Sequence, residues 1–211
     1  MYTFQTPQPI AVTVEVLSAD VTVVATDRTD TVVAIRPADT ANKADVRAAE
    51  QTTVELTGDT LTVTTPKSWR THTPFGGNPS IEVTIEVPTG SAFTGTAAVG
   101  RVVGEGELGE CDLTVSLGDI VLDRPQGSVN AKTAKGDIRI GEATRGRLHL
   151  ETSMGDLAVG IHPGSTVRLD TATSLGTVQN ALAPADPSGD TVTVHARTSL
   201  GNIVIGHTAA A

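Results

Sequence analysis

The chain has 211 residues, is 38% hydrophobic but only 2% aromatic, and sets 15 basic against 24 acidic residues for a net charge of −9. Binding to nucleic acid or to an anionic membrane surface rests on clustered Lys and Arg, so a scattered and outnumbered basic set argues against both. No apolar run approaches the roughly 20 residues of a spanning helix, which argues against membrane insertion.

The opening MYTFQTPQPIAVTVEVL alternates its Val residues and lacks the basic-then-apolar order of a secretion signal, so the expectation from this stretch is a cytoplasmic protein. Alternation continues through IAVTVEVL (10–17), DVTVVAT (20–26), TVVAIRP (31–37), TTVELTG (52–58), TLTVTTP (60–66) and IEVTIEVP (81–88), the period of half-buried strands. Ser18-Ala19-Asp20 and Gly58-Asp59 read as turns between paired strands. The stretch 38–51, ADTANKADVRAAEQ, predicts a short helix opening at Asp39 or Asp45, placed over an end of the β-structure to shield strand edges. Residues 1–90 thus read as a less regular β region capping the more regular residues 91–206, within one continuous domain of 1–211. The loop PKSWRTHTPFGG gathers Trp69, Arg70, His72 and Phe75 in an aromatic-poor protein. Two readings stand side by side: an end plug, or a partner-binding anchor.

From residue 91 to 206 one phrase recurs around Gly100, Gly118, Gly136, Gly155, Gly176 and Gly201, spaced 18, 18, 19, 21 and 25 residues apart. Two positions after each glycine stand Val102, Ile120, Ile138, Leu157, Val178 and Ile203, and four after it Gly104, Leu122, Ile140, Val159, Asn180 and Ile205. Upstream, the columns Cys111/Val129/Leu148/Leu169/Val194, Leu113/Ala131/Leu150/Thr171/Ala196, Val115/Thr133/Thr152/Thr173/Thr198 and Leu117/Lys135/Met154/Leu175/Leu200 alternate with polar ones. Each repeat therefore holds two strands joined at a Gly-Asp or Gly-Asn corner, and length varies only between repeats. Stacking like on like predicts an all-β parallel solenoid with coils rising about 4.8 Å, in sequence order. The alternative is an antiparallel meander with each Gly-Asp as a hairpin turn.

These segments carry a resemblance. The repeated [Thr/Ser]-x-Gly-[Asp/Asn]-[Ile/Leu/Val] phrase, with TDRTDTVVAIRP, PKSWRTHTPFGG, IEVTIEVPTGS and NALAPADPSGDTVTVHARTSLGNIVIG, resembles a bacterial family of β-strand-repeat proteins labelled "putative adhesins", whose core domain has no assigned function. The likeness spans nearly the whole chain. It implies a solenoid-like fold and a non-enzymatic adhesion or scaffold role, with a cell-surface location if the label holds, and it brings no site residues with it.

Candidate chemistry is sparse. Asp119, Asp137 and Asp156 at the corners suit turn formation, although stacked carboxylates are also Ca²⁺-type ligands. His149, Asp170 and His195 share an outward column on successive coils, where imidazole and carboxylate are zinc-type ligands; the plainer account is a polar surface column, and no metal or cofactor is assigned. Cys111, the single cysteine, excludes an internal disulfide and falls in an apolar column, a core position. Ser116, Ser153, Ser174 and Ser199 occupy a repeat position and read as framework. The expected function is binding to a protein or glycan partner. Alternatives are an intracellular accessory protein of envelope-stress signalling and a carbohydrate-active solenoid enzyme. Apart from HTAAA, nothing after GNIVIG reads as a cap, so either the 181–191 insert folds over that end or two chains meet there as a homo-oligomer.

Overall fold

The computed structural model describes residues 1–66, 79–182 and 189–208. The strands are β1 (Tyr2–Gln5), β2 (Ala11–Thr26), β3 (Asp30–Pro37), β4 (Thr53–Thr57), β5 (Thr60–Thr64), β6 (Ile81–Pro88), β7 (Ala92–Val99), β8 (Val102–Gly106), β9 (Cys111–Leu117) and β10 (Ile120–Leu122). They continue as β11 (Val129–Lys135), β12 (Ile138–Ala143), β13 (Gly146–Met154), β14 (Leu157–Ile161), β15 (Thr166–Leu175), β16 (Val178–Ala181), β17 (Thr191–Leu200) and β18 (Ile203–His207). One helix, α1, runs over Lys43–Gln51.

From β7 onward each coil places its first strand in a front sheet and its second in a back sheet, and neighbouring coils pair in parallel. The predicted columns are pairing partners residue by residue: Cys111 with Val129, Val129 with Leu148, Ile120 with Ile138, Ile138 with Leu157. The chain is a parallel β-solenoid, and the antiparallel meander is ruled out for these coils. Inward Val, Ile and Leu from both sheets form one continuous buried cluster from Ile10 to Ile205.

The order of coils departs from the sequence. In the front sheet β17 lies between β13 and β15, and in the back sheet β18 lies between β14 and β16. The chain skips a place after β14, lays down β15 and β16 as the end coil, then returns to fill the gap. The spacings of 21 and 25 residues are the extra lengths this detour needs. A second insertion occurs near the N-terminus. β2 is one long strand rather than two strands joined by a hairpin turn. Its first half pairs with β5 and β7 in the front sheet, and its second half with β6 and β8 in the back sheet. Ser18 and Ala19 form its corner, so β2 is itself a coil.

At that end the antiparallel strand β4 covers β5, and β3 pairs antiparallel with β6 and with β1. Helix α1 lies against β3 and β6. Its N-cap is Asn42, whose side chain accepts from the Ala44 N–H. Asp45 sits inside the first turn instead of opening the helix. Its buried carboxylate accepts from the Asp39 and Ser80 backbone N–H groups and from the Asn42 amide, tying the helix to the segment that leads into β6. Aromatic scarcity shows in the core: Phe93 is fully buried, and Gly95 makes its room, since a Cβ there would lie 3.3 Å from the ring and 3.0 Å from Leu113.

Candidate functional site

The repeated phrase is explained by contacts between coils. Each corner glycine has φ between 130° and 155°, and an added Cβ would come within about 2 Å of a carbonyl oxygen on the neighbouring coil. Gly118 stacks on Gly100, Gly136 on Gly118, Gly155 on Gly136, Gly201 on Gly155 and Gly176 on Gly201. No residue with a side chain fits at these six positions without moving a coil. Three positions upstream, Thr133, Thr152, Thr198 and Thr173 donate their hydroxyls to the glycine carbonyls of Gly118, Gly136, Gly155 and Gly201 at 3.0–3.1 Å.

One position downstream, the carboxylate or amide oxygen accepts the backbone N–H of the next coil. Asp119 Oδ1 accepts from Asp137 N at 2.8 Å, Asp137 from Asp156 at 2.9 Å, Asp156 from Asn202 at 2.7 Å and Asn202 from Thr177 at 3.1 Å. The corner acids therefore work across coils, beyond the local turn chemistry expected of them, and their Oδ1 atoms already serve the backbone. Asp137→Ala should lower stability by about 1 kcal/mol by removing the cross-coil bond from the Asp156 N–H, whereas Asp137→Asn keeps the acceptor and should cost less than half as much. Thermal melts of the two variants check this.

The sequence-predicted outward column is present on the front sheet, in the order Asp112, Asn130, His149, His195, Asp170. His195, not Asp170, follows His149. The two imidazoles lie 6.4 Å apart between centroids, His149 Nε2 meets Glu151 Oε1 at 3.0 Å, and His195 Nδ1 meets Asp170 Oδ2 at 3.1 Å. The His195 hydrogen bond, aided by the Arg197 charge, holds the Asp170 carboxyl below its usual range; Lys132, then His149, does the same for Glu151. Asn130 donates to Asp112 at 3.0 Å. The column is thus a set of neighbouring side chains linked into polar pairs. Among the described residues no group of three or more His, Cys, Asp or Glu has the arrangement of a metal site. Shallow concavities of about 460 and 420 Å³ flank the histidines on this face, the second floored by Ser153, Ser174 and Ser199.

Cys111 is buried in the core column, and desolvation pushes its thiol up to about 12, leaving it neutral and structural. Trp69, Arg70, His72 and Phe75 lie outside the described residues.

One surface feature differs from expectation. The column just before the glycine, which alternation groups with the core positions, faces solvent. Inward alternation ends at the Thr column, because the chain begins its corner there. Val99, Leu117, Lys135, Met154, Leu200 and Leu175 pair in that order, with Leu117 46%, Met154 47% and Leu175 69% exposed. They make an apolar ridge over successive coils, roughly 24 Å long at strand spacing. It is interrupted only by Lys135, between the serine column and the Asp/Asn corner ladder.

This architecture defines the chain as a parallel β-solenoid of two-strand coils with a stacked Thr-x-x-Gly-Asp corner. No known family's sequence pattern matches the chain, and no curated protein matches it. Among solved structures, a "putative cell adhesion protein" from Clostridium sporogenes matches over 98% of this chain and 98% of its own, with a TM-score of 0.57 at 11% identity. A "putative adhesin" from Bacteroides fragilis matches over 97% of this chain and 95% of its own, with a TM-score of 0.48 at 13% identity. The chain therefore shares its fold with a bacterial protein carrying a cell-adhesion label. Among the described residues no helix is long and apolar enough to cross a membrane.

Proposed function

We propose that this is a non-enzymatic interaction module of adhesion or scaffold type, and that it binds a protein partner along the apolar corner ridge and the adjoining front face. The observation that carries the reading is the ridge itself: Val99 and Leu117 on one side of Lys135, and Met154, Leu200 and Leu175 on the other, are exposed in one line rather than scattered. Exposed apolar side chains lined up between polar borders are the anatomy of a protein-binding surface. The fixed registry of the coils presents it on an ordered backbone, so binding costs little backbone entropy. Acidic corners at Asp119, Asp137 and Asp156, on a chain of net charge −9, favour a partner with basic residues flanking its apolar anchors.

The test compares wild-type protein with a Leu117→Ser, Met154→Ser, Leu200→Ser variant as baits in extract of the native host. All three positions are exposed, so the variant should melt within a few degrees of wild type. Expected are proteins with basic surfaces that are enriched by wild type and lost from the variant, and whose binding weakens at high salt. Binding confined to a glycan array and unchanged in the variant would overturn the protein-partner reading. Turnover of a polysaccharide would overturn the non-enzymatic one. Fractionation of the host decides between a surface adhesin and an internal scaffold.

A further inference from the structure

The two ends of the stack are built differently. One is covered by β3, β4 and α1. At the other, among the described residues, β15 pairs on one side only, with β17, and β16 on one side only, with β18. The end coil still carries apolar side chains in core columns: Leu169 is 36% and Val178 44% exposed, while their neighbours Val194 and Ile203 are fully buried.

We propose that a second copy of the chain covers this end, β15 pairing antiparallel with β15 of the second copy about a two-fold axis at Leu169. Another strand is what completes a strand edge, and a two-fold axis normal to the sheets keeps front sheet continuous with front sheet. Charge selects the register. With the axis at Leu169, Arg168 of each copy faces Asp170 of the other, giving two opposite-charge pairs, and Val167 faces Thr171 in the core layer. Shifting the axis to Asp170 would set two carboxylates against each other. Asp170 is suited to this pairing because its hydrogen bond to His195 and the nearby Arg197 keep it ionised. The core columns of the end coil are also more polar than elsewhere, with Thr171 and Asn180 where inner coils carry Leu150 and Val159. The junction is therefore partly wet, and the dimer is concentration-dependent.

Sedimentation velocity of the full chain over a wide concentration range tests the proposal. The weight-average mass should rise from one chain to two. Arg168→Asp should raise the dissociation constant at least tenfold, and Arg168→Asp with Asp170→Arg should restore it, because opposite charges again face. Leu169→Cys should give a covalent dimer under mild oxidation, since residue 169 faces its own copy and the native Cys111 is buried. Melting curves confirm that each variant is folded. A single monomeric mass at the highest concentration overturns the proposal. So does a dimer that is unaffected by Arg168→Asp and fails to cross-link through Leu169→Cys.

Discussion

Gly136→Ala should lower the melting temperature by about 10 °C, whereas Gly58→Ala should change it by no more than a few degrees. Both glycines have positive φ, 150° and 59°, so conformation alone does not separate them. Surroundings do. A Cβ on Gly58 meets nothing within 4 Å, so the substitution costs about 1–2 kcal/mol of left-handed strain, partly offset by a stiffer unfolded chain. A Cβ on Gly136 would sit 2.0 Å from the Gly118 carbonyl oxygen, in a backbone region that side chains avoid at a cost of about 1–3 kcal/mol. Relief requires moving a coil apart, which weakens the Thr133 hydroxyl bond to the same oxygen and the Gly118 N–H bond to Lys135. About 4 kcal/mol is the sum of these, and at roughly 2–4 °C per kcal/mol for a domain of this size it gives that shift. Matched calorimetric scans decide it. If Gly136→Ala melts like Gly58→Ala, the corner ladder is not tightly stacked.

What could be read from the residues was the cross-section of a coil. Side-chain period, corner glycine and column identity are local properties, and each predicted column reappears as a set of paired residues. Coil order is not local. Leu169 and Val194 are both apolar and equally able to lie beside Leu148, so column matching cannot rank them as neighbours. Two signals did carry the order. The longest spacings flank the displaced coil, and Thr171 and Asn180 break the apolar columns in the coil that ends the stack. Both were visible as irregularities, but their meaning depends on knowing that an end coil needs less core.

The ridge was hidden for a different reason. Leu117, Met154 and Leu200 obey the alternation rule in sequence, and only the start of the corner at the Thr column turns them outward. At β2 the corner uses Ala19 rather than glycine. Gly100 packs on the Ala19 carbonyl oxygen and Asp20 accepts from the Arg101 N–H, as the corner acids do elsewhere. Without its glycine, that coil reads as two strands and a turn. The His149, His195 and Asp170 column could be placed on one face from alternation alone, but not its spatial order.

Removing residues 191–211 should cost the protein two coils, and removing 166–190 from the middle should cost one. β17 and β18 come last in sequence but sit inside the stack, and they hold the partners through which β15 and β16 join it. Val192, Val194, Ile203 and Ile205 are fully buried. At roughly 1.5–3 kcal/mol each their burial is worth on the order of 6–12 kcal/mol, comparable to the whole stability of a typical domain. None of residues 166–181 is fully buried, so the end coil contributes far less. In the C-terminal truncation, amide exchange over 166–181 should become as fast as in an unfolded chain, and the melting temperature should fall steeply. In the internal deletion, Ile161 is joined to Thr191 by the four residues 162–165, more than the two that span the same corner between Ala143 and Gly146, and β17 and β18 should remain protected against β13 and β14. Stacking in sequence order predicts the reverse: the truncation would be mild, with 166–181 still protected, and the internal deletion would remove a middle coil. Hydrogen exchange on the two deletion variants therefore distinguishes the threaded order from the sequential one without reference to any ligand.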